Sequence, residues 1–336
     1  MTVPGKLRCF LVFAGTLLLL LLTIPLSLTG GTGDISLLDA AAALFNTGNG
    51  DPMVDFIVRE LRLPRLVLAL LAGSALGISG AILQSVLRNV LVSPDLLGIS
   101  SGGGCAGLII MLWFPQLSAF TGVAVFAGAL TVALLVYLAA WKRQLSRTRL
   151  LLAGVAIGAI FSTASTAMLM LMPERYGGVF NFLLGGFSGR GFEELKYFIP
   201  GFVITFAMAG GLARKLDIAV LGDTGAASLG LPVERIRFLA LATAALGAAS
   251  AAGIAGLLGF AGLIAPHTVR FLGKSGSHRF LLPCSALAGA ELVLLGDWLG
   301  RVLPPEPLEL PAGIFLAGCG ALFFLILLLV ERREGL

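Results

Sequence analysis

The sequence has little charge and almost no histidine. Only 12% of its 336 residues are charged, whereas about a quarter are charged in an average soluble domain. Two histidines are too few for a typical zinc site, and the basic residues are dispersed, which argues against a nucleic-acid partner. With 57% hydrophobic residues, the chain is predicted to be a membrane protein without a bound metal or cofactor.

Signatures of catalysis are missing as well. The sequence contains no G-x-S-x-G and no H-E-x-x-H motif. Gly273–Ser275 resembles the end of a phosphate-binding loop, but Thr268 stands where that motif begins with glycine, and no strand precedes it. The four cysteines lie in apolar runs with no C-x-x-C spacing: Cys9, Cys105, Cys284 and Cys319. We therefore expect no enzyme activity and no ATP site in this chain.

Long apolar runs and 45 glycines dominate what is present. The stretch Arg62–Gly104 contains a run long enough to cross a hydrocarbon core of about 30 Å as a helix. Within it, Gly73 and Gly77 form a G-x-x-x-G pattern, which lets another helix approach closely in lipid. The sequence predicts an all-α polytopic protein with about ten spans, at 9–28, 64–87, 97–114, 118–141, 149–172, 196–213, 236–256, 257–271, 280–301 and 310–330.

The distribution of lysine and arginine sets the expected orientation. Most of the 23 basic residues fall on one side of the predicted spans, which places both termini in the cytoplasm. On that side, residues 216–237 are not apolar enough to span the membrane and break at Gly222, Gly230 and Pro232. Connections are usually about 4–6 residues long, so this segment is predicted to form one or two short helices that dock another protein.

A series of motifs covers nearly the whole chain past residue 60, and their order matches a known family. The chain resembles the permease subunits of the type II ABC importers, the FecCD type, which take up iron–siderophores, haem and cobalamin. The motifs are R-L-P-R at Arg62–Arg65, S-G-x-x-x-Q at Ser79–Gln84, R-N-x-L-x-x-P-x-x-L-G at Arg88–Gly98, L-L-L-A-G-V-A at Leu150–Ala156, L-G-D at Leu221–Asp223, A-x-x-L-G at Ala226–Gly230, G-F-x-G-L-x-x-P-H at Gly259–His267, H-R-x-L-L-P at His278–Pro283 and E-L-P-x-G at Glu309–Gly313.

The resemblance implies that residues 1–336 form one transmembrane permease domain of the type II importer fold. It also implies a bacterial or archaeal cytoplasmic (inner) membrane, a second identical or different permease subunit, a dimer of ATPase subunits that binds ATP and Mg²⁺, and an extracytoplasmic binding protein. An Fe(III)–siderophore is the favoured substrate, with cobalamin or haem as alternatives. An ion-coupled secondary transporter is the alternative from another class, and it would need ionisable residues within the spans.

The same resemblance suggests roles for individual residues. The segment 216–237 would hold the coupling helices, with contacts to the ATPase from Leu221, Gly222, Asp223, Ala226, Leu229 and Gly230. Three arginines match positions that dock the binding protein, although helix-end arginines can also extend toward the membrane surface: Arg62, Arg65 and Arg301. Arg147 and Thr148 align with the cytoplasmic gate, but Arg147 could instead be a membrane anchor.

Two polar residues within predicted spans are possible pathway residues, Glu291 and Gln84. A carboxylate in the middle of a span is costly unless it has a partner or meets water. Glu291 could therefore line the pathway, be protonated, pair across a dimer or be satisfied by neighbouring groups. Asp297 and Arg301 lie four residues apart, so they are predicted to pair on one helix face.

Overall fold

The computed structural model of the protein describes residues 5–31, 33, 35–45, 51–141, 146–305 and 308–333, and these residues form helices and no strand. The helices are α1 (Gly5–Thr29), α2 (Leu37–Phe45), α3 (Pro52–Phe56), α4 (Leu63–Leu87), α5 (Ile99–Trp113), α6 (Thr121–Ala140), α7 (Arg147–Leu171), α8 (Tyr176–Leu184), α9 (Phe192–Ala219), α10 (Asp223–Ser228), α11 (Val233–Ala255), α12 (Ala261–Gly273), α13 (His278–Val302) and α14 (Ala312–Arg333). A π-helical turn at Ile57–Arg62 joins α3 to α4.

Each predicted span coincides with a helix, so the all-α prediction is confirmed. Among the described residues, seven helical segments are long and apolar enough to cross a membrane, the longest being Pro52–Leu87. Ile99–Trp113 is shorter, and α12, with 13 residues, extends only about 20 Å. The number of about ten spans therefore stays a prediction.

The centre of the bundle is formed by α4, α11 and α13, whose apolar windows are mostly buried. The predicted G-x-x-x-G pattern produces the contact between α4 and α13. A methyl group added at Gly73 would overlap the carbonyl of Gly289, and one at Gly77 would overlap the carbonyl of Ser285. The two backbones thus touch directly, as small residues allow in lipid, and α4 and α13 form a tightly packed pair.

The break between α11 and α12 depends on two residues with positive φ, Gly256 (φ 72°) and Phe260 (φ 64°). The chain around this break is held by α8, because the Leu257 amide donates to the Phe182 carbonyl at 3.4 Å and the Gly186 amide donates to the Ala255 carbonyl at 2.8 Å. This irregular backbone is satisfied within the protein, which is the condition for non-helical chain at membrane depth.

Two long helices, α1 and α7, leave most of their apolar surface uncovered. On α7 the exposed fractions reach 65% for Leu152, 66% for Ile160 and 75% for Met170. Soluble monomeric proteins rarely expose so large an apolar surface to water. These faces therefore meet lipid or another protein subunit.

Candidate functional site

The segment predicted to dock a partner is shorter in the structure than in the sequence analysis. Residues 216–219 continue α9 and residues 233–237 begin α11, so α10 and its two turns are the part of the segment that lies outside the long helices. Gly222 (φ 103°) and Gly230 (φ 78°) form those turns in conformations that L-residues rarely adopt. α9 and α11 extend beyond their apolar runs into both ends of the range 216–237, and the coupling role of that range stays a prediction.

The α10 turn presents apolar side chains on the outside of the bundle. Ala226 is fully buried and fixes the helix against its neighbours, whereas Leu221 and Leu229 are 64% and 63% exposed. Val220, at the end of α9, is also exposed. A group of large exposed apolar side chains outside the long helices is typical of a protein-docking surface.

Asp223, the first residue of α10, holds it in place through arginines from three other parts of the chain. Among the described residues, Asp223 carboxylate oxygens lie 3.0 Å from Arg237, 3.0 Å from Arg147 and 4.0 Å from Arg88. Partial burial raises the pKa of Asp223, but the hydrogen bond and charge of Arg237, with the other two arginines, outweigh it and leave the pKa below its usual value. Asp223 is therefore ionised at neutral pH and ties α10 to α7 and α11.

The two residues predicted to form the gate, Arg147 and Thr148, have different surroundings in the structure. Arg147 begins α7 and donates to Asp223 Oδ1 at 3.0 Å, so in this conformation it connects α7 to α10. Thr148 is exposed. A role in gating stays a prediction, although the contact shows how the start of α7 can follow a movement of α10.

Polar residues also cluster at the other end of the bundle. Arg65 on α4 lies 2.8 Å from Asp297 on α13 and 2.7 Å from Glu309 in the chain before α14. Burial raises the pKa of Glu309, but the charge and hydrogen bond of Arg65 outweigh burial and lower the pKa below its usual value. The pair Asp297–Arg301, predicted from their spacing, lies at 3.4 Å.

All three arginines predicted to dock a binding protein are buried, with exposed fractions of 6% for Arg62, 8% for Arg65 and 6% for Arg301. Arg62 donates to the carbonyls of Leu28 and Thr29, both at 2.7 Å. Arg301 donates to the Gly30 carbonyl at 2.9 Å and to Ser27 Oγ at 2.8 Å.

These partners give all three arginines an intramolecular role, which the sequence analysis predicted for Arg301 through its pair with Asp297 and missed for Arg62 and Arg65. They fix the end of α1 and the chain before α14 to the pair α4–α13. Docking of a binding protein by these arginines stays a prediction. The binding protein would have to contact side chains that already have partners within this chain.

The two possible pathway residues also have internal partners. Glu291 Oε1 accepts a hydrogen bond from Thr23 Oγ1 at 2.8 Å, which places the carboxyl group between α1 and α13. Gln84 accepts a hydrogen bond from Arg270 and donates to the Leu263 carbonyl at 3.4 Å. Each side chain therefore links two helices in this conformation. Participation of Glu291 and Gln84 in a pathway stays a prediction.

A cavity of about 310 Å³ lies at the end of the bundle opposite α10. Its walls come from α5, α6, α8, the end of α11 and the chain before α9 and α14. The polar side chains that line it include Asn181, Ser188, Arg190 and Glu309. Hydrogen-bond donors therefore face a space large enough for a small organic ligand.

A further set of polar residues was missed by the sequence analysis. Ser162, Thr163 and Thr166 on α7 are exposed, and Ser162 donates to Ser101 on α5 at 3.1 Å. Hydroxyl groups on an uncovered face of a span fit a polar passage or a subunit contact better than lipid. The repeated S-T-A-S-T sequence at 162–166 was the signal that could have revealed them.

Comparison with known proteins identifies the family. The FecCD transport family matches residues 18–330. This chain belongs to the FecCD transport family. The Fe(3+)-citrate import system permease protein YfmE of Bacillus subtilis (strain 168) is 40% identical over 285 residues, covering 84% of this chain and 85% of that protein. The Fe(3+) dicitrate transport system permease protein FecD of Escherichia coli (strain K12) is 35% identical, covering 83% and 86%.

A solved structure gives the same result for the fold. A metal-chelate-type ABC transporter in an inward-facing conformation superposes with a TM-score of 0.83 and 28% identity, covering 94% of this chain and 98% of that one. The predicted type II importer permease fold is therefore confirmed. As a FecCD protein the chain is a multi-pass transport permease.

Proposed function

We propose that this chain is the membrane-spanning subunit of an ABC importer that carries a ferric chelate. Supporting this, its relatives include permeases named for Fe(3+)-citrate, for iron(3+)-hydroxamate and for ferric enterobactin. These names favour a ferric chelate over cobalamin or haem. Membership of the FecCD family favours an importer over an ion-coupled secondary transporter.

In this proposal the chain performs no covalent chemistry. Separate ATPase subunits dock at the α10 end, which faces the cytoplasm, and these subunits bind ATP with Mg²⁺. Their closure moves the helices attached to α10. A binding protein delivers the chelate at the opposite end, and a second permease subunit covers α7. The observation that carries this arrangement is α10 itself, buried through Ala226 and presenting Leu221 and Leu229 to the outside.

The cavity at the opposite end fits an anionic chelate. Its Arg190 guanidinium and Asn181 amide can donate to carboxylate oxygens, whereas the Ser188 hydroxyl already donates to Glu309 Oε2 at 3.3 Å. The Glu309 carboxylate in its wall is already balanced by Arg65 at 2.7 Å, so it opposes an anion less than a free carboxylate would. We therefore expect a chelate with carboxylate groups, as in Fe(III)–citrate.

The substrate can be tested with the importer reconstituted in proteoliposomes together with its ATPase and its binding protein. Fe(III)–citrate, an Fe(III)–hydroxamate, cobalamin and haem would be compared for stimulation of ATP hydrolysis and for uptake. The proposal expects stimulation by a ferric chelate. Stimulation by cobalamin or haem alone would overturn the substrate, and uptake without the ATPase would overturn the importer.

Docking at α10 leads to a first prediction. The double substitution Leu221→Asp and Leu229→Asp should lower co-purification of the ATPase at least about tenfold, because two apolar contacts would be replaced by charges. The control is Leu308→Asp, the same type of substitution at an exposed leucine of the opposite end. Affinity purification in mild detergent measures the ratio of ATPase to permease, and equal ratios in both variants would contradict docking at α10.

A further inference from the structure

A partly buried chain of polar side chains connects four helices at the α10 end. It begins at Asp217, in the last turn of α9. Asp217 Oδ1 accepts hydrogen bonds from the backbone amide of His278 at 2.6 Å and from its ring Nδ1 at 2.7 Å. Because a carboxylate only accepts, the Nδ1 proton lies toward Asp217.

Asp217 replaces the usual cap of α13. Ser277 occupies the cap position but makes no capping hydrogen bond with its side chain. The carboxylate from α9 satisfies the first free amide of α13 instead, and its negative charge is favourable at a helix N-terminus. The beginning of α13 is thus held by another helix.

The chain continues from His278 into α4. The ring Nε2 lies 2.7 Å from Ser85 Oγ, and Arg270 on α12 donates to the same hydroxyl at 3.1 Å. Arg270 also donates to Gln84, which donates to the Leu263 carbonyl of α12 at 3.4 Å. His278 is only 2% exposed, and hydrogen bonds in such surroundings are strong and costly to lose.

The position of this chain relates it to α10. Asp217 lies two residues before the end of α9. The carbonyl of Ala219, the last residue of α9, accepts a hydrogen bond from Arg88, directly after α4, at 2.9 Å. A displacement of α10 therefore reaches α9 first, and α9 cannot shift without moving its partners on α4 and α13 or breaking these contacts.

The far end of the connection is rigid. Because Gly73 and Gly77 bring α4 into backbone contact with α13, the two helices respond to a pull at Ser85 and His278 together. Packed elements of this kind shift between discrete arrangements instead of deforming gradually. The polar chain thus joins the end of α9, next to α10, to the tightly packed centre of the bundle.

We propose that Asp217, His278 and Ser85 form the linkage that transmits movement of α10 to the pair α4–α13, and that this linkage couples ATP hydrolysis to transport. The inference rests on the proposed function. The three side chains are positioning residues, since they act through the helices that they join and contact neither nucleotide nor chelate.

The test measures chelate transported per ATP hydrolysed, in proteoliposomes that contain the whole importer. His278→Ala and Ser85→Ala should each lower this ratio by about tenfold, the size of a lost buried hydrogen bond, while ATPase co-purification stays normal. The double variant should be no worse than His278→Ala, because both remove the same connection. His278→Gln, whose amide can reach Ser85, should recover part of the ratio.

The control is His267→Ala, which removes the other histidine. His267 lies on α12 with its ring edge-on to Phe323 at 5.3 Å, outside the polar chain, and its transport ratio should stay near that of the parent. A normal ratio in Ser85→Ala, or an equal loss in the control, would overturn the linkage. If His278→Ala fails to assemble, the transport ratio of Ser85→Ala tests the linkage instead. Absence of transport by the parent importer would instead refute the proposed function.

Discussion

Replacing Gly77 by alanine should destabilise the protein by roughly 1–3 kcal/mol, the usual cost of overpacking. The added methyl group would overlap the Ser285 carbonyl oxygen of α13. Because the obstacle is backbone, no side-chain rotation can relieve the overlap, and the two central helices must separate. The lost stability would come from the contact that holds α4 to α13.

Gly210 on α9 supplies the matched control, since a methyl group added there would meet nothing within 4 Å. Alanine at this position should stabilise the helix by about 0.5–1 kcal/mol, because it restricts the unfolded backbone. The two substitutions are thus expected to have opposite signs. Heating the detergent-solubilised protein and measuring the monodisperse fraction tests this, and a gain in stability for Gly77→Ala would contradict the described packing.

Replacing Asp297 by asparagine should cost roughly 3–5 kcal/mol, as removal of one partner from a buried ion pair does. Asp297 is fully buried, 2.8 Å from Arg65 and 3.4 Å from Arg301. Asparagine keeps the shape of the side chain but removes its charge. Within the part of the chain that the structure describes, Glu309 would then be the carboxylate left to balance the two buried guanidinium groups.

The control for this prediction is Glu193→Ala, which breaks the exposed ion pair with Lys196. Exposed pairs contribute little, so no measurable change in melting temperature is expected. The double variant Arg65→Met with Asp297→Leu should recover part of the stability lost in Asp297→Asn, because it removes both charges. If the asparagine variant melted like the parent protein, the cluster would not hold this end of the bundle together.

Much of the helical framework was predictable from the sequence. Apolar runs located the long helices because burial in lipid requires them to be continuous, and the spacing of Gly73 and Gly77 indicated a close helix contact. The spacing did not show which helix would fill that contact. Gly289 and Ser285 lie more than 200 positions further along the chain, and only the tertiary fold brings them there.

The roles of charged residues were the least predictable. Arg147 meets Asp223 across 76 positions, and Arg65 meets Asp297 across 232. Local sequence shows that an arginine stands at a helix end, but it does not show whether the side chain turns toward solvent, lipid or a carboxylate. The family resemblance assigned several of these residues to partners, whereas the structure adds contacts within the chain itself.

The uncovered face of α7 has a consequence for how the protein must be made. A single copy in a bilayer would place the face of α7 that carries Ser162, Thr163 and Thr166 against acyl chains instead of a second subunit. Burial of this face against a neighbour would contribute a binding free energy, which adds to the stability of the native state. Cells that synthesise this permease without a companion should therefore accumulate less of it, through degradation of orphaned copies.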